Sequence, residues 1–288
     1  MKLRSALAVL LMQIAILTSV IAGQAPIDVP SDFRDAVKKR LEKRGLKLEA
    51  VCPVDTDIVA ARVFKDYGAM FIASKSVTPP SKCVFANEDE VSDFQASVKT
   101  RRERLNGREI ELQEAAMDAL IDANKVALKK KLKITPRGAS ASRRGYADTL
   151  RIWNSRFDPA LAHWVRNGRI KKEDAAKAAA MEANDQVAQV IEWEKDSIWF
   201  STGFNRSIFS SVAAPGTSQH LSMIALDVTE FADKNVRAIL NDHGWFQTII
   251  DDTPHFTYLG LDEDELPKRG LIQVPREGFI FWIPNFDR

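Results

Sequence analysis

Two histidines and the carboxylates around them constrain the fold of this chain most tightly. His220 and Asp227 lie seven residues apart, and Asp252 lies three before His255. On one helix a separation of seven spans two turns, about 10 Å, too far for both side chains to reach a common point unless the segment bends. On one continuous strand an odd separation sends the two to opposite faces. A fold that uses both must put a loop or turn between them. The chain has only four histidines in 288 residues, so two of them in such company are notable. A hydrolytic zinc site needs nitrogen and oxygen ligands, one open position and a nearby carboxylate to take a proton from water. His220, Asp227 and His255 are the candidate ligands, and Asp252 is the candidate base.

The pattern Ser218-x-His220-x6-Asp227, answered by Asp252-x-x-His255, resembles the zinc D-alanyl-D-alanine carboxypeptidases and dipeptidases of the LAS group, which share a hedgehog-like fold. That family reads S-x-H-x-x-G-x-A-x-D and then E-x-W-H. Ser218, His220, Ala225, Asp227 and His255 are in register, Pro215-Gly216 precede them as the family's Pro-Gly does, and His255-Phe256-Thr257-Tyr258-Leu259-Gly260 is similar to H-F-x-Y-V-G. Upstream, Ala141–Thr149 resembles S-G-Y-R-S-Y-x-x-Q and puts Arg144, with Tyr146 in register, on the arginine that receives the substrate carboxylate. Arg143 and Arg206, the latter in a poorer copy of that motif, are rivals. The resemblance covers roughly residues 112–260. Met223 stands at the family's glycine, Asp252 at its glutamate and Pro254 at its tryptophan.

The resemblance implies an α+β fold in which a small antiparallel sheet carries one zinc ion and is flanked by helices. A helical addition precedes it, and an insertion occupies about 150–200. It implies hydrolysis of a peptide bond near the carboxyl end of a peptidoglycan stem peptide, with His220, Asp227 and His255 on the metal, Asp252 as base, and Arg144 and Ser218 on the substrate. An Asp one methylene shorter than the family's Glu also fits a zinc- or wall-binding protein impaired in turnover, and Asp251 is a rival for the base.

Met1–Ala25 reads as an export signal: Lys2 and Arg4 lead an apolar stretch from Ala6 to Ala22, followed by small residues. Lys2 and Arg4 also account for the net charge of +2 over 39 acidic residues. The remainder is neutral, which gives no reason to expect nucleic acid or an anionic surface as partner. No later segment reaches membrane length. An exported chain with two cysteines, Cys52 and Cys83, is expected to close a disulfide in its N-terminal region, residues 26–100.

In that region Asp32 and Gly45 bracket a helix, and another is expected near Asp57–Asp66. Ala50–Pro53, Ala69–Ala73 and Lys82–Phe85 are expected strands. The domain proper is expected over 101–288. Apolar spacing predicts helix from about Glu88 to Lys131, with Lys129–Lys133 a solvated basic run, and a helix over Glu173–Glu194. Trp153, Trp164, Trp193 and Trp199 are expected in packing, His163 as a packed or surface residue, and His243 at a helix C-terminus. Leu271–Val274 and Phe279–Ile283 are expected to pair as a hairpin.

Overall fold

The computed structural model describes residues 32–286, so the expected export signal lies outside the described residues. The first helix, α1 (Phe33–Glu42), starts where Asp32 accepts a hydrogen bond from the Asp35 amide and buries Phe33, Val37 and Leu41. A single turn, α2 (Leu48–Val51), leads to Cys52, and α3 (Ile58–Tyr67) opens on Asp57, whose carboxylate accepts from the Val59 and Ala60 amides. A 3-10 turn, Gly68–Ile72, continues from it. Cys52 and Cys83 form the expected disulfide across these elements.

The three short strands expected here are absent. Ala50–Pro53 overlaps α2, and Ala69–Ala73 falls on the 3-10 turn, where Ala69 through Ala73 are all buried. A short apolar run that is buried on every side carries no period, so it does not separate strand from tight helix. Lys82–Phe85 has isolated contacts in place of a ladder: the Cys83 amide donates to the Val51 carbonyl and the Phe85 amide to that of Gly216.

The long helix expected from Glu88 to Lys131 is broken. After α4 (Glu88–Ser97) come β1 (Thr100–Leu105) and β2 (Arg108–Gln113), an antiparallel pair, and then α5 (Glu114–Lys129). Asn106 and Gly107 turn the hairpin, both with positive φ (44° and 88°). An Asn-Gly pair favours the two-residue turn whose twist matches that of the strands. Cross-strand partners Arg102 and Glu111 form an ion pair at 2.9 Å.

The stretch expected to be helical over about 150–200 carries three helices: α6 (Tyr146–Arg166), α7 (Lys172–Ala179) and α8 (Ala183–Lys195). The single helix expected over Glu173–Glu194 is split between the last two. Buried Gln186 of α8 donates to the Ala178 carbonyl at the end of α7 and accepts from Trp153 Nε1 at 2.7 Å. That tertiary contact overrides a run of good helix formers. Trp153 is fully buried, and Trp193 stacks on Phe200.

The central sheet is antiparallel with order β3 (Ala225–Asp227), β5 (His255–Tyr258), β4 (Trp245–Phe246), and α9 (Lys234–Asn241) lies between β3 and β4 in the chain. His243 Nδ1 meets the Ile239 carbonyl at 2.7 Å, closing the C-terminal end of α9. The expected terminal hairpin is present as β6 (Leu271–Arg276) and β7 (Phe279–Pro284), and the Trp282 amide donates to Gln247 beside the sheet. The protein is thus α+β, with small antiparallel sheets among helices. One contiguous apolar core runs from Phe33 to Trp282. Among the described residues no helix is long and apolar enough to cross a membrane.

Candidate metal centre

Strand register brings two of the candidate ligands together. Asp227, the last residue of β3, pairs directly with His255, the first of β5, so 28 residues of sequence collapse to one cross-strand pair. His220 arrives from a 3-10 turn, Gln219–Ser222, that ends on Met223 in the left-handed conformation (φ 54°, ψ 34°) and feeds back into β3. This is the turn that the seven-residue spacing demanded. The Ser218 hydroxyl accepts from the His220 amide at 3.4 Å and caps that turn.

The three donor atoms form a nearly equilateral triangle. His220 Nε2 lies 3.2 Å from His255 Nδ1, and Asp227 Oδ1 lies 3.3 Å from each. A tetrahedral ion with bonds of about 2.0–2.1 Å holds its ligands roughly 3.3–3.4 Å apart. The tautomers agree. His220 Nδ1 faces the Ser142 carbonyl at 2.7 Å, and His255 Nε2 faces Gln219 Oε1 at 2.8 Å. Gln219 Nε2 donates to the Tyr67 carbonyl at 2.9 Å, which fixes its oxygen toward His255. Each imidazole therefore spends its N–H on a carbonyl and turns a lone pair inward, the arrangement that orients ligand histidines. Two lone pairs and a carboxylate oxygen converge with no donor between them, a set that fits a cation.

The electrostatics favour the same forms. Burial, followed by the Arg144 charge, lowers His220 to about 4, so its ring is neutral at pH 7. Without a cation in the triangle, Asp227 is held well below the usual carboxylate range: burial opposes this, and the two facing imidazoles outweigh it when they carry a proton. Its second oxygen accepts from Arg144 Nη2 at 2.7 Å, leaving Oδ1 for the triangle.

Asp252 and Asp251 divide clearly. Asp251 has a left-handed backbone (φ 68°) and is engaged by Arg276 at 2.9 Å and Arg206 at 3.6 Å. Asp252 makes no side-chain hydrogen bond or ion pair among the described residues. Its carboxyl is pushed up to about 6 by burial, with His255, Asp227, Arg144 and Arg137 acting on it electrostatically. An acid so placed can hold or release a proton near neutral pH.

Of the three arginines, Arg144 reaches the triangle. Arg143 is turned to Gln95 and Glu111, and Arg206 to Asp251 on the rim. Sequence reasoning missed the supports of the site, Gln219, the Ser142 carbonyl and the Tyr67 carbonyl. Gln219 occupies the free position inside the S-x-H pattern, and main-chain carbonyls leave no signature in composition or period. It also assigned no chemistry to the region before residue 100, yet Tyr67 orients Gln219 from there, and Gln95 donates to the carbonyls of Arg144 and Leu221.

No family model and no curated protein matches the sequence. Among solved structures the chain is similar to a variant of the vancomycin-resistance D,D-pentapeptidase VanY from a VanB-type resistance cassette in complex with Zn(II). Identity is 16% and the TM-score 0.33, over 60% of this chain and 85% of that one. It is also similar to VanYB in complex with D-alanine-D-alanine, at 15% identity and a TM-score of 0.35, over 61% of this chain and 86% of that one. At that overlap the chemistry of this chain rests on its own side chains.

Proposed function

We propose that this chain is a zinc-dependent peptidase that hydrolyses a peptide bond at the carboxyl end of a peptidoglycan stem peptide, in the manner of a D-alanyl-D-alanine carboxypeptidase. The observation that carries the reading is the triangle of His220 Nε2, His255 Nδ1 and Asp227 Oδ1, with edges of 3.2–3.3 Å and both imidazole N–H groups already committed elsewhere. The substrate class comes from the motifs around Arg144, Ser218 and His255.

In this reading His220, Asp227 and His255 hold one zinc ion. Zinc bound there would polarise the scissile carbonyl and acidify water. Asp252 takes the proton from water at a carboxylate oxygen and returns it to the leaving amine. Its raised affinity for a proton suits both halves of that exchange. Arg144 orients Asp227 through Nη2; Nη1, without a partner among the described residues, is the group offered to a terminal carboxylate. Ser218 holds the turn that presents His220, and its hydroxyl is assigned to the substrate. The disulfide supports an oxidising compartment, hence export to a periplasm or beyond.

The test is metal content and turnover together. Purified mature protein is expected to carry about one zinc per chain, lost in His220→Ala and His255→Ala. Asp252→Asn should keep the metal and lose roughly 10²–10⁴-fold in stem-peptide hydrolysis. A chain that takes up no zinc sinks the reading. The short arm of Asp252 favours one competing reading, a zinc- or wall-binding protein with impaired turnover. Asp252→Glu separates them: a steep gain in hydrolysis over an inactive parent supports the impaired protein, and an active parent supports the peptidase.

A further inference from the structure

A second concavity lies at the opposite end of β5 from the candidate metal centre. Gly260, on its wall, follows β5, which starts at His255, so the two are roughly 15 Å apart at about 3.3 Å per residue. The cavity has a volume of about 690 Å³ and lies between α1, the chain after the Gly68–Ile72 turn and the segment Gly260–Arg269. Lys39, Arg40, Lys43, Lys75, Lys268 and Arg269 converge on it, and the one acidic residue in its wall is Glu265. Glu265 is taken by Arg269 at 3.2 Å, and Lys268 lies 3.6 Å from Asp264. Lys39, Lys43 and Lys75 have no carboxylate partner among the described residues.

Arg40 lies in the same wall. Its Nη2 donates to the Ser74 carbonyl at 2.7 Å, but its Nε is buried and has no acceptor. Burial, aided by the charges of Arg269 and Arg44, lowers its pKa to about 10. A buried donor without an acceptor is costly and uncommon in a folded protein. The chain beyond its first 25 residues is electrically neutral, so the excess of positive charge is local. Lysines that merely solvate a surface spread apart; these crowd into a concavity, where low-dielectric walls focus their field.

We propose that this concavity is a binding site for a phosphate-bearing ligand. A single carboxylate would leave most of the positive charge unanswered, whereas a phosphate group brings up to two negative charges and several acceptor oxygens. Those oxygens suit the point charges of the lysines that line the cavity. The volume falls within the ~300–1,000 Å³ typical of small-molecule sites, so the ligand is larger than the phosphate group it presents. The assignment is independent of the peptidase reading.

The mature chain, with and without a chelator, is titrated calorimetrically with inorganic phosphate, and cosedimented with vesicles of phosphatidylcholine with or without phosphatidylglycerol. Two triple variants are compared: Lys39→Ala/Lys43→Ala/Lys75→Ala in the concavity, and Lys129→Ala/Lys130→Ala/Lys131→Ala as a charge control. Phosphate is expected to bind with or without chelator, to weaken as salt rises, and to lose at least tenfold in affinity in the first variant only. Phosphatidylglycerol-dependent sedimentation that free phosphate competes away identifies a lipid headgroup as the source. Phosphate binding without sedimentation identifies a soluble phosphate ester. The proposal is overturned by the absence of both kinds of binding, by binding that the chelator abolishes, or by equal losses in the two variants.

Discussion

Asp252 and His220 pull stability in opposite directions as pH changes. Asp252 is an acid raised from 3.8 to about 6 in the folded protein. The unfolded chain releases that proton first, so its burial lowers stability as pH rises from about 4 to 6, by roughly 2–3 kcal/mol in all. His220 is a base lowered from 6.5 to about 4; stability is full above pH 6.5 and falls as the pH drops toward 4. In metal-free protein, Asp252→Asn should therefore be more stable than the parent above pH 6 and lose that advantage below pH 4. Urea unfolding at several pH values reads this directly, and an advantage that does not change with pH would refute it. Under the proposed function, that gain should come with a loss of turnover. Met223 presents another residue-scale contest. Its left-handed backbone costs about 1 kcal/mol or more, which glycine would relieve. Its side chain is fully buried, however, and deleting a buried Met typically costs about 2–5 kcal/mol. Packing wins on these magnitudes, so Met223→Gly should lower stability by about 2 kcal/mol, with zinc binding retained in a metal titration.

Elements were legible where local chemistry decided them. Asp32 and Asp57 cap the helices that their positions announced, and the tail hairpin follows its two apolar runs, Leu271–Val274 and Phe279–Ile283. The β1–β2 hairpin was not legible from periodicity. Arg101, Glu103, Arg104 and Glu109 leave too few apolar residues to show a period of two, and Ile110 and Leu112 also continue a helical stripe through α5. The decisive signal was Asn106-Gly107, a turn of two residues rather than a break in a helix. The candidate ligands were legible through their motif, but their supports depend on loops that meet only in three dimensions. Gly216 is the clearest such junction. Its φ is +76°, and a Cβ there would lie 2.0 Å from the Phe85 carbonyl oxygen. The Phe85 amide donates back to Gly216 at 2.9 Å. Gly216→Ala must therefore force these backbones apart just before Ser218 and His220, and a loss of about 3 kcal/mol or more is expected, with weaker zinc binding. Denaturant midpoints and a zinc titration check both effects; a change below about 1 kcal/mol would show that the junction gives easily.

At the scale of the whole molecule, the disulfide and the candidate metal centre belong to one mechanical path. Cys52 and Cys83 close a loop that holds α3 and the Gly68–Ile72 turn, and the Tyr67 carbonyl at their junction fixes Gln219, which fixes His255. Closing a loop of that length contributes about 3–4 kcal/mol through the unfolded chain. A metal that binds only the folded state contributes independently, about 2.7 kcal/mol at a free concentration one hundred times its dissociation constant. If the two were unconnected, Cys52→Ala/Cys83→Ala would lower stability equally with and without zinc, and the affinity of the folded protein for zinc would not move. The path through Tyr67 and Gln219 predicts otherwise. Loosening the partner that orients a ligand histidine typically costs about 10–100-fold in metal affinity, so the double variant should bind zinc at least tenfold more weakly at a temperature where both proteins are folded. Zinc titration of the two proteins at that temperature separates the cases. An unchanged dissociation constant would confine the disulfide to its effect on the unfolded chain, and a weaker one would make the N-terminal region a working component of the metal site.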